Sequence, residues 1–336
     1  FGVTTIIIAL ITYCIAPIVA TQPSWFYVMV VVTVLLFTEL KHTFTELAQR
    51  MKNDEMITLA KFLAISGIIL PMLPNENLIP DINLTPYTVW LATVVVSGIS
   101  YLSYLLRRYV FHESGILVSG IIGGLYSSTA TISVLARKSR KAPAQEAPEY
   151  AAAMLLAVSM MFLRFLILIG IFSKAILAEI YPYLLIMSFV TAGVAWYLHR
   201  KRKSIPVTGE EAEEEDSSNP LEFKVALIFA VLFVIFTIVT HYTLIYTGTG
   251  GLNVLSFIAG LSDITPFILN LLQGSGVAVV VVTACCMQAI VSNIAVNMCY
   301  ALFFAGGKSP LRRWVLRGFG GVIAVNVCLL LFFYLL

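Results

Sequence analysis

The sequence predicts an all-α polytopic membrane protein, with about nine spanning helices and two re-entrant helical hairpins in inverted repeats. The first supporting observation is composition: 59% of the 336 residues are hydrophobic and 12% are charged, whereas a soluble domain has about 25% charged residues. Only lipid tolerates an exterior this apolar. The second observation is a series of apolar runs of spanning length, and the third is an internal duplication. No basic patch indicates a nucleic-acid partner.

Apolar runs of about 20 residues are long enough to cross a bilayer. They predict spanning helices, in chain order, at residues 2–20, 23–40, 56–73, 86–106, 148–173, 178–198, 222–246, 277–305 and 313–335. We divide the chain into an N-terminal three-helix segment (1–84), repeat A (85–203) and repeat B (221–336). Residues 204–220 between the repeats include a block of acidic residues, which cannot bury apolar surface and predicts a flexible cytoplasmic linker. The chain begins at Phe1 without Met, so we expect it to be part of a longer protein.

The duplication is a shared pattern of isoleucine, glycine, leucine and threonine in two apolar segments. The first copy reads Ile122-x-Gly124-Leu125-x-x-x-Thr129-x-x-Ile132-x-x-Leu135, and the second reads Ile258-x-Gly260-Leu261-x-x-x-Thr265-x-x-Ile268-x-x-Leu271. Each copy carries small and hydroxyl residues where a spanning helix normally has large apolar ones. Broken, polar-tipped and duplicated segments are typical of membrane transporters. We predict hairpin A at 114–137 and hairpin B at 252–273.

The distribution of Lys and Arg indicates how these segments lie in the membrane, because cytoplasmic loops are rich in basic residues. If both motif segments crossed the bilayer, the basic clusters at 107–108 and 137–141 would lie on opposite faces. If each segment instead leaves on the face where it enters, every basic cluster becomes cytoplasmic. Hairpin A then opens to the cytoplasm and hairpin B to the outside, which makes the repeats inverted. The competing interpretation is two kinked spanning helices with a weak charge signal.

Asp263 is the sharpest candidate for a functional residue. A carboxylate at membrane depth is costly unless it is paired, protonated or facing water. Because Thr265 and Pro266 follow, either Ser262 or Asp263 is expected to cap a half-helix that begins there. Capping is the competing structural interpretation, although a cap at a broken helix also lies beside unwound carbonyls. We leave a metal ion unassigned, with Asp263 as the best candidate ligand.

The equivalent position in repeat A is Ser127, which begins a run of hydroxyl residues. The run consists of Ser127, Ser128, Thr129 and Thr131. Hydroxyls in membrane helices ordinarily bond to carbonyls of their own helix, but this run is denser than that role requires. One predicted tip therefore bears a carboxylate and favours a cation, whereas the other is neutral and rich in donors.

Three further polar residues lie deep in predicted spans. Arg164 needs a partner, and Asp263 is the natural one across the centre, either as a counter-charge in a pathway or as a structural ion pair. Asn293 and Asn297 lie four residues apart on one helix face. Their amides are expected to bind an ion or the tips, or else to hold helices together.

The sequence supports no enzyme class. It has no Walker loop, nucleophile elbow or zinc signature. Its five cysteines lie in apolar runs without metal-ligand spacing, so we interpret them as small buried residues. We expect no cofactor.

The motif residues resemble those of a bacterial membrane family, the uncharacterised C-terminal membrane domain of MgtC/SapB-type proteins. The resemblance rests on residues 123–131 and 135–139, on Arg164 after an alanine-rich run, and on residues 260–263 with Asn293. It covers the chain from about residue 25 onward. Members of that family more often carry a second acidic residue just after the first, which argues against a two-carboxylate metal site here. The resemblance implies the bacterial inner membrane and, through the name of the attached domain, a link to magnesium homeostasis.

The resulting hypothesis is a transporter or channel-like permease for a small ion, with a slight preference for a cation, bound at the midplane between the two tips. The candidate binding residues are Asp263, Ser127, Ser128, Thr129, Thr131, Ser262, Thr265, Arg164, Asn293 and Asn297. The alternative is a non-transporting membrane regulator of ion homeostasis that binds a protein partner, and a weaker third reading is the handling of lipid-linked substrates. We expect a multi-pass protein of the bacterial inner membrane, with the start of this chain and the acidic linker in the cytoplasm. The lipid bilayer is an expected partner, and a homo-oligomer is left open.

Overall fold

The computed structural model describes residues 3–21, 53–77, 82, 84–106, 115–201, 223–273, 277–307 and 309–335, together with single positions between 28 and 35. Every regular element in these ranges is a helix. Contacts divide the chain into two compact units, Phe1–Lys61 and Phe62–Leu336. The second unit contains both copies of the duplicated motif.

The helices are numbered here in chain order. The N-terminal part contains α1 (Val3–Thr21) and α2 (Asn53–Ala64), and a π-helical turn (Ile65–Ile69) extends α2. The remaining helices are α3 (Pro86–Leu105), α4 (Ile116–Lys138), α5 (Ala147–Phe172), α6 (Lys174–Arg200), α7 (Phe223–Ala259), α8 (Ile264–Leu272), α9 (Val279–Ala305) and α10 (Leu311–Leu335).

Seven helices of the described residues are long and apolar enough to cross a membrane, namely α3, α4, α5, α6, α7, α9 and α10. This confirms the prediction of an all-helical, multi-pass membrane protein. All but α4 coincide with predicted spans, and α4 is the segment predicted as hairpin A. The predicted spans 2–20 and 56–73 correspond to α1 and to the shorter apolar helix Ile57–Met72. The predicted span 23–40 lies largely outside the described residues, as does the linker 204–220, and the domain limits stay predictions.

Local sequence explains where several helices begin. Thr85 caps α3, since its hydroxyl accepts a hydrogen bond from Thr88 N at 3.1 Å and the Thr88 hydroxyl accepts one from Thr85 N at 3.2 Å. Pro86 then occupies the first helical position, where its missing N–H costs nothing. Ser173 caps α6, since its hydroxyl accepts a hydrogen bond from Ile176 N at 3.4 Å.

Helix α5 begins with a long buried stretch. All its residues from Ala147 to Leu155 are buried. It is joined to α6 by a reciprocal pair of hydrogen bonds, because the hydroxyls of Ser159 and Ser188 each donate to the carbonyl of the other residue, at 2.9 and 3.2 Å. Large apolar side chains instead cover the outer faces of the bundle, as at Phe189, which is 74% exposed. An apolar exterior over a small-residue interior is the arrangement that lipid favours.

Helix α4 is not a straight rod, because its backbone breaks at Ser127 (φ −157°, ψ 110°). A Cβ atom built on Gly123 would lie 2.5 Å from Thr131 Oγ1. In a straight α-helix these residues are separated by about 12 Å along the axis. The helix is therefore interrupted at Ser127, and α4 consists of two arms, 116–126 and 128–138.

Helix α7 is broken in the same sense at Gly248, whose backbone (φ 65°, ψ −154°) is a conformation that essentially only glycine adopts. A Cβ atom on Gly251 would lie 2.9 Å from Thr243 Cγ2, although eight residues separate the two. The arm 249–259 therefore folds back against the end of 223–247. The predicted span 222–246 and the start of hairpin B are thus one interrupted helix.

The arm 116–126 packs on α5 through glycine. A Cβ atom on Gly124 would lie 2.5 Å from Ala157 Cα, and one on Gly120 would collide with the backbone of Ala153. The two residues of each pair are 33 positions apart, so the arm 116–126 runs parallel to α5. In repeat B the side chain of Asn293 reaches the carbonyl of Gly260, again 33 positions away. The same arm-on-helix packing therefore occurs in both repeats.

Helix ends that carry basic residues lie at one end of the bundle. Arg140, which follows α4, donates through Nη2 to Phe303 O near the end of α9 at 3.2 Å. A Cβ atom on Gly318, near the start of α10, would lie 3.1 Å from Leu198 near the end of α6. At the opposite end, Gln273 donates to Thr88 O near the start of α3 at 3.5 Å.

Candidate functional site

The break in α4 is capped by the residue that causes it. Ser127 Oγ accepts a hydrogen bond from Ala130 N at 3.3 Å, which satisfies one of the free N–H groups at the start of the arm 128–138. Ser128 is buried, whereas Thr129 and Thr131 are half-buried. We call the segment 126–129 tip A.

The turn between α7 and α8 has the same construction. Asp263 Oδ1 accepts a hydrogen bond from Thr265 N at 3.0 Å, so Asp263 and not Ser262 is the cap of α8. Asp263 is exposed, as is Ser262, but Thr265 and the rest of α8 are buried. A carboxylate at a helix N-terminus is favoured by the helix dipole. We call the segment 260–263 tip B.

Ser127 and Asp263 occupy equivalent positions in the duplicated motif, and each caps the second arm of its hairpin. The repetition of sequence is therefore also a repetition of local geometry. The chemical difference between the tips is one charge, since the cap is a neutral hydroxyl at tip A and a carboxylate at tip B.

In both repeats, the carbonyl of the residue just before the cap accepts a hydrogen bond from a side chain. Arg164 Nη1 on α5 donates to Tyr126 O at 2.7 Å. In repeat B, Asn293 Nδ2 on α9 donates to Ser262 O at 3.3 Å and to Gly260 O at 3.3 Å. Tyr126 and Ser262 are equivalent motif positions, each one residue before the cap. The donor at tip A is thus a cation, and the donor at tip B is a neutral amide.

The predicted partners Arg164 and Asp263 interact electrostatically in the structure. The hydrogen bonds described above run to backbone groups and not between the two side chains, so each charge is fixed to its own tip. The Nε atom of Arg164 is buried and has no hydrogen-bond partner among the described residues. Arg164, which is bonded to tip A, and Asp263 of tip B therefore place opposite charges in one region of the bundle.

The predicted pair of amides on α9 forms a ladder directed at tip B. Asn297 Nδ2 donates to Asn293 Oδ1 at 3.1 Å, and Asn293 Nδ2 donates to the tip carbonyls. Asn293 and Asn297 are 5% and 0% exposed. The second amide oxygen, Asn297 Oδ1, is buried without a hydrogen-bond partner in the described part of the chain. The two expected roles of these amides, binding the tip and holding helices together, coincide in these contacts.

The most important groups that the sequence did not indicate are backbone carbonyls, those of Tyr126, Gly260 and Ser262. The identity of a side chain does not show whether its backbone carbonyl is free to accept a hydrogen bond. The glycines near the caps were the nearest sequence indication of a broken helix there. A second polar cluster also was not predicted as a unit. Tyr334 donates to Asn253 Oδ1 at 3.4 Å and accepts from Gln288 Nε2 at 2.6 Å.

The described residues include no group of three or more His, Cys, Asp or Glu side chains that could hold a metal ion. Buried Cys285 and Cys286 fit the prediction of small core residues, whereas Cys14, Cys299 and Cys328 are exposed on the bundle surface, contrary to it. Because the outer faces of a membrane bundle meet lipid, apolar character there does not require burial in protein.

Three comparisons with known proteins were made for this chain. The chain is 26% identical over 201 residues to an uncharacterised protein of Aquifex aeolicus (strain VF5), which covers 57% of this chain and 84% of that protein. No solved structure matches the chain significantly. The pattern of the family DUF4010, described as a domain of unknown function, matches residues 94–305. This region includes both tips, Arg164 and the amide ladder, and the chain therefore belongs to the DUF4010 family.

Proposed function

We propose that this protein is a membrane transporter or channel-like permease for a small ion, which binds at the midplane between tip A and tip B. The observation that carries the proposal is the pair of opposite charges, Arg164 and Asp263, each fixed to the backbone of a different helix break. Ionisable side chains within membrane helices ordinarily serve an ion or substrate pathway. Helix breaks supply the unwound backbone groups that such pathways use.

The proposal includes two re-entrant hairpins. Their support is geometric, because arm 116–126 runs parallel to α5 while arm 128–138 joins α5 through a short turn and must run antiparallel to it. The two arms of hairpin A are therefore antiparallel to each other. In hairpin B the arm 249–259 and the nine-residue helix α8 flank tip B, and each is about half the length that crosses a bilayer.

The proposal also includes an inverted relation between the repeats. The end of the arm 128–138 lies beside the end of α9, through Arg140 and Phe303. Because α5 starts where that arm ends, α5 and α9 run in opposite directions, as equivalent helices of inverted repeats do. The basic ends lie together at this side, which the positive-inside rule assigns to the cytoplasm.

Within this site, Asp263 is proposed as the ionisable ligand, and hydroxyls at both tips as neutral ligands. The hydroxyl ligands are Ser127, Ser128, Thr129, Thr131, Ser262 and Thr265. Arg164 is the counter-charge, and its exchange between Asp263 and an entering ion would couple binding to movement of a tip. A carboxylate exposed at tip B favours a cation slightly over an anion.

The cellular setting is part of the proposal. The resemblance to the membrane domain of MgtC/SapB-type proteins supports the bacterial inner membrane, with the start of the chain and the acidic linker cytoplasmic. The same resemblance supports a role in ion homeostasis. Nothing in the described contacts favours the alternative of a non-transporting regulator over transport, so it enters as an outcome of the test.

The test is ion flux into proteoliposomes that contain the purified full chain, measured for a panel of monovalent and divalent ions. Asp263→Asn is expected to abolish flux, because it removes the ionisable ligand while keeping a capping side chain. The matched control is Glu179→Gln, the same loss of charge at an exposed position of α6, which should leave flux intact. Unchanged flux in folded Asp263→Asn protein removes Asp263 from the mechanism.

The regulator alternative makes the opposite pattern of predictions. It expects no flux in proteoliposomes for any ion of the panel, and normal biological activity when the tips are altered. It further expects loss of that activity when residues 204–220 are deleted, because the linker would carry the contact with the protein partner.

A further inference from the structure

We infer that tip B binds a dehydrated monovalent alkali cation through the carbonyls of Gly260 and Ser262, the amide oxygen of Asn297 and the carboxylate of Asp263. The inference rests on the proposed function, and it names the class of ion and a set of ligands within that site. Its starting point is the unpartnered Asn297 Oδ1, which lies on a residue with no exposed surface.

The amide nitrogens of Asn293 and Asn297 both already donate hydrogen bonds to other groups. The Asn293 amide nitrogen is committed to two carbonyls, those of Gly260 and Ser262, at 3.3 Å each. The Asn297 nitrogen is committed to Asn293 Oδ1 at 3.1 Å. A carbonyl oxygen has two lone pairs, so each tip carbonyl keeps acceptor capacity after its bond to Asn293. The groups here that still lack a partner are hydrogen-bond acceptors, and a bound cation would satisfy them.

The hydrogen bond between Asn297 and Asn293 also limits where the Asn297 side-chain oxygen can lie. The Asn297 side chain leans back along α9 towards Asn293, as long helical side chains do, and its nitrogen contacts Asn293 directly. Its oxygen is part of the same amide group and therefore lies beside the head of Asn293, which touches tip B. Asp263 directly follows Ser262, and its Oδ1 is held by Thr265 N. The carboxylate is thus anchored at the same turn.

The charges of the site indicate a monovalent ion. Asp263 contributes one negative charge. Arg164 of α5, which is bonded to tip A, contributes a positive charge that interacts with it. Divalent cations in proteins are usually bound by several carboxylates or retain much of their water. The described residues offer no cluster of three acidic or other metal-ligating side chains. Neutral carbonyl and amide oxygens beside one carboxylate instead match the coordination of Na⁺ at broken helices.

The test measures thermal unfolding of the detergent-purified full chain at constant ionic strength in NaCl, KCl, LiCl, MgCl₂ or choline chloride. The inference expects an alkali chloride to raise the unfolding temperature above that in choline chloride, with a saturable dependence on its concentration. MgCl₂ should give a smaller effect. Equal unfolding temperatures in NaCl, KCl, LiCl and choline chloride would overturn the inference, and a water molecule bonded to Asn297 would then explain its oxygen.

Two variants of Asn297 make the test specific to the ladder. Asn297→Leu should weaken the apparent affinity for the alkali ion by about tenfold or more, the effect of losing a single good ligand. Asn297→Asp places an acceptor opposite Asn293 Oδ1 where a donor was, so its folding should depend more strongly on the ion than that of the natural protein. An ion-dependent shift that is unchanged in both variants contradicts the assignment.

The matched control is Asn270→Ala, another buried amide. Asn270 donates to Thr240 Oγ1 at 2.9 Å and to Phe236 O at 3.3 Å, within hairpin B but away from its tip. This variant should unfold at a lower temperature yet keep the ion-dependent shift. Flux separates the two proposals: ion binding without flux would refute transport only, whereas Asp263-dependent flux without ion-dependent stabilisation would refute this inference only.

Discussion

The close crossing of the arm 116–126 on α5 makes Gly124 sensitive to substitution. In Gly124→Ala, the added Cβ would lie 2.5 Å from Ala157 Cα and 2.6 Å from Ala157 O. Both atoms are backbone of a buried helix and cannot rotate away. Ordinary contact begins at 3.4 Å, so the arm 116–126 must move outward by about 1 Å and lose packing along its length. Overpacking of this kind costs about 1–3 kcal/mol.

The assay is the free energy or midpoint of unfolding in mixed micelles, with Gly193→Ala as the matched control. A Cβ on Gly193 of α6 meets nothing within 4 Å, so this variant should be neutral, or more stable by about 0.5–1 kcal/mol because alanine favours the helix. Gly260→Ala should behave like Gly124→Ala, since its Cβ would lie 2.7 Å from Ala289 O. If Gly124→Ala is as stable as Gly193→Ala, the close crossing does not support the hairpin.

Three further predictions follow from the polar contacts and the second helix break. Arg164→Gln should destabilise the protein more when Asp263 is present than in an Asp263→Asn background; a double-mutant cycle should give a coupling of about 0.5–3 kcal/mol, and zero coupling would show that the charges do not interact. Tyr183→Phe should lower the unfolding free energy by about 1–3 kcal/mol, because buried Asn326 Oδ1 loses its donor; an unchanged value would mean that water replaces the hydroxyl. Gly248→Ala should cost about 1–3 kcal/mol from its positive φ alone, and an unaltered midpoint would show that the helix straightens there.

The all-helical membrane class could be predicted from the sequence because apolar runs of similar length recur along the chain. Apolar runs of spanning length are averaged over about 20 residues, so single substitutions do not obscure them. The duplicated motif likewise identified Ser127 and Asp263 as equivalent positions before any geometry was known. That both are caps follows from short side chains with oxygen acceptors preceding a helical segment.

The parts that the sequence did not reveal depend on single backbone torsions and on carbonyls. One residue, Gly248, breaks the helix that continues the predicted span 222–246. The sequence does not distinguish it from the neighbouring Gly250 and Gly251. Arg164 was expected to pair with Asp263, but its hydrogen bond runs to Tyr126 O. Backbone acceptors exist at every residue, so only the three-dimensional structure can indicate which of them a buried cation selects.

The contact between Arg140 and Phe303 has a mechanical consequence. It joins the loop after hairpin A to the end of α9, so the two repeats are tied at one end of the bundle. An exposed hydrogen bond of this kind contributes only about 1 kcal/mol. A rotation of one repeat that preserved this contact would pivot there, and displacements would grow with distance along α9. Such a rotation would have to break the contact between Gln273 and Thr88 O at the opposite end.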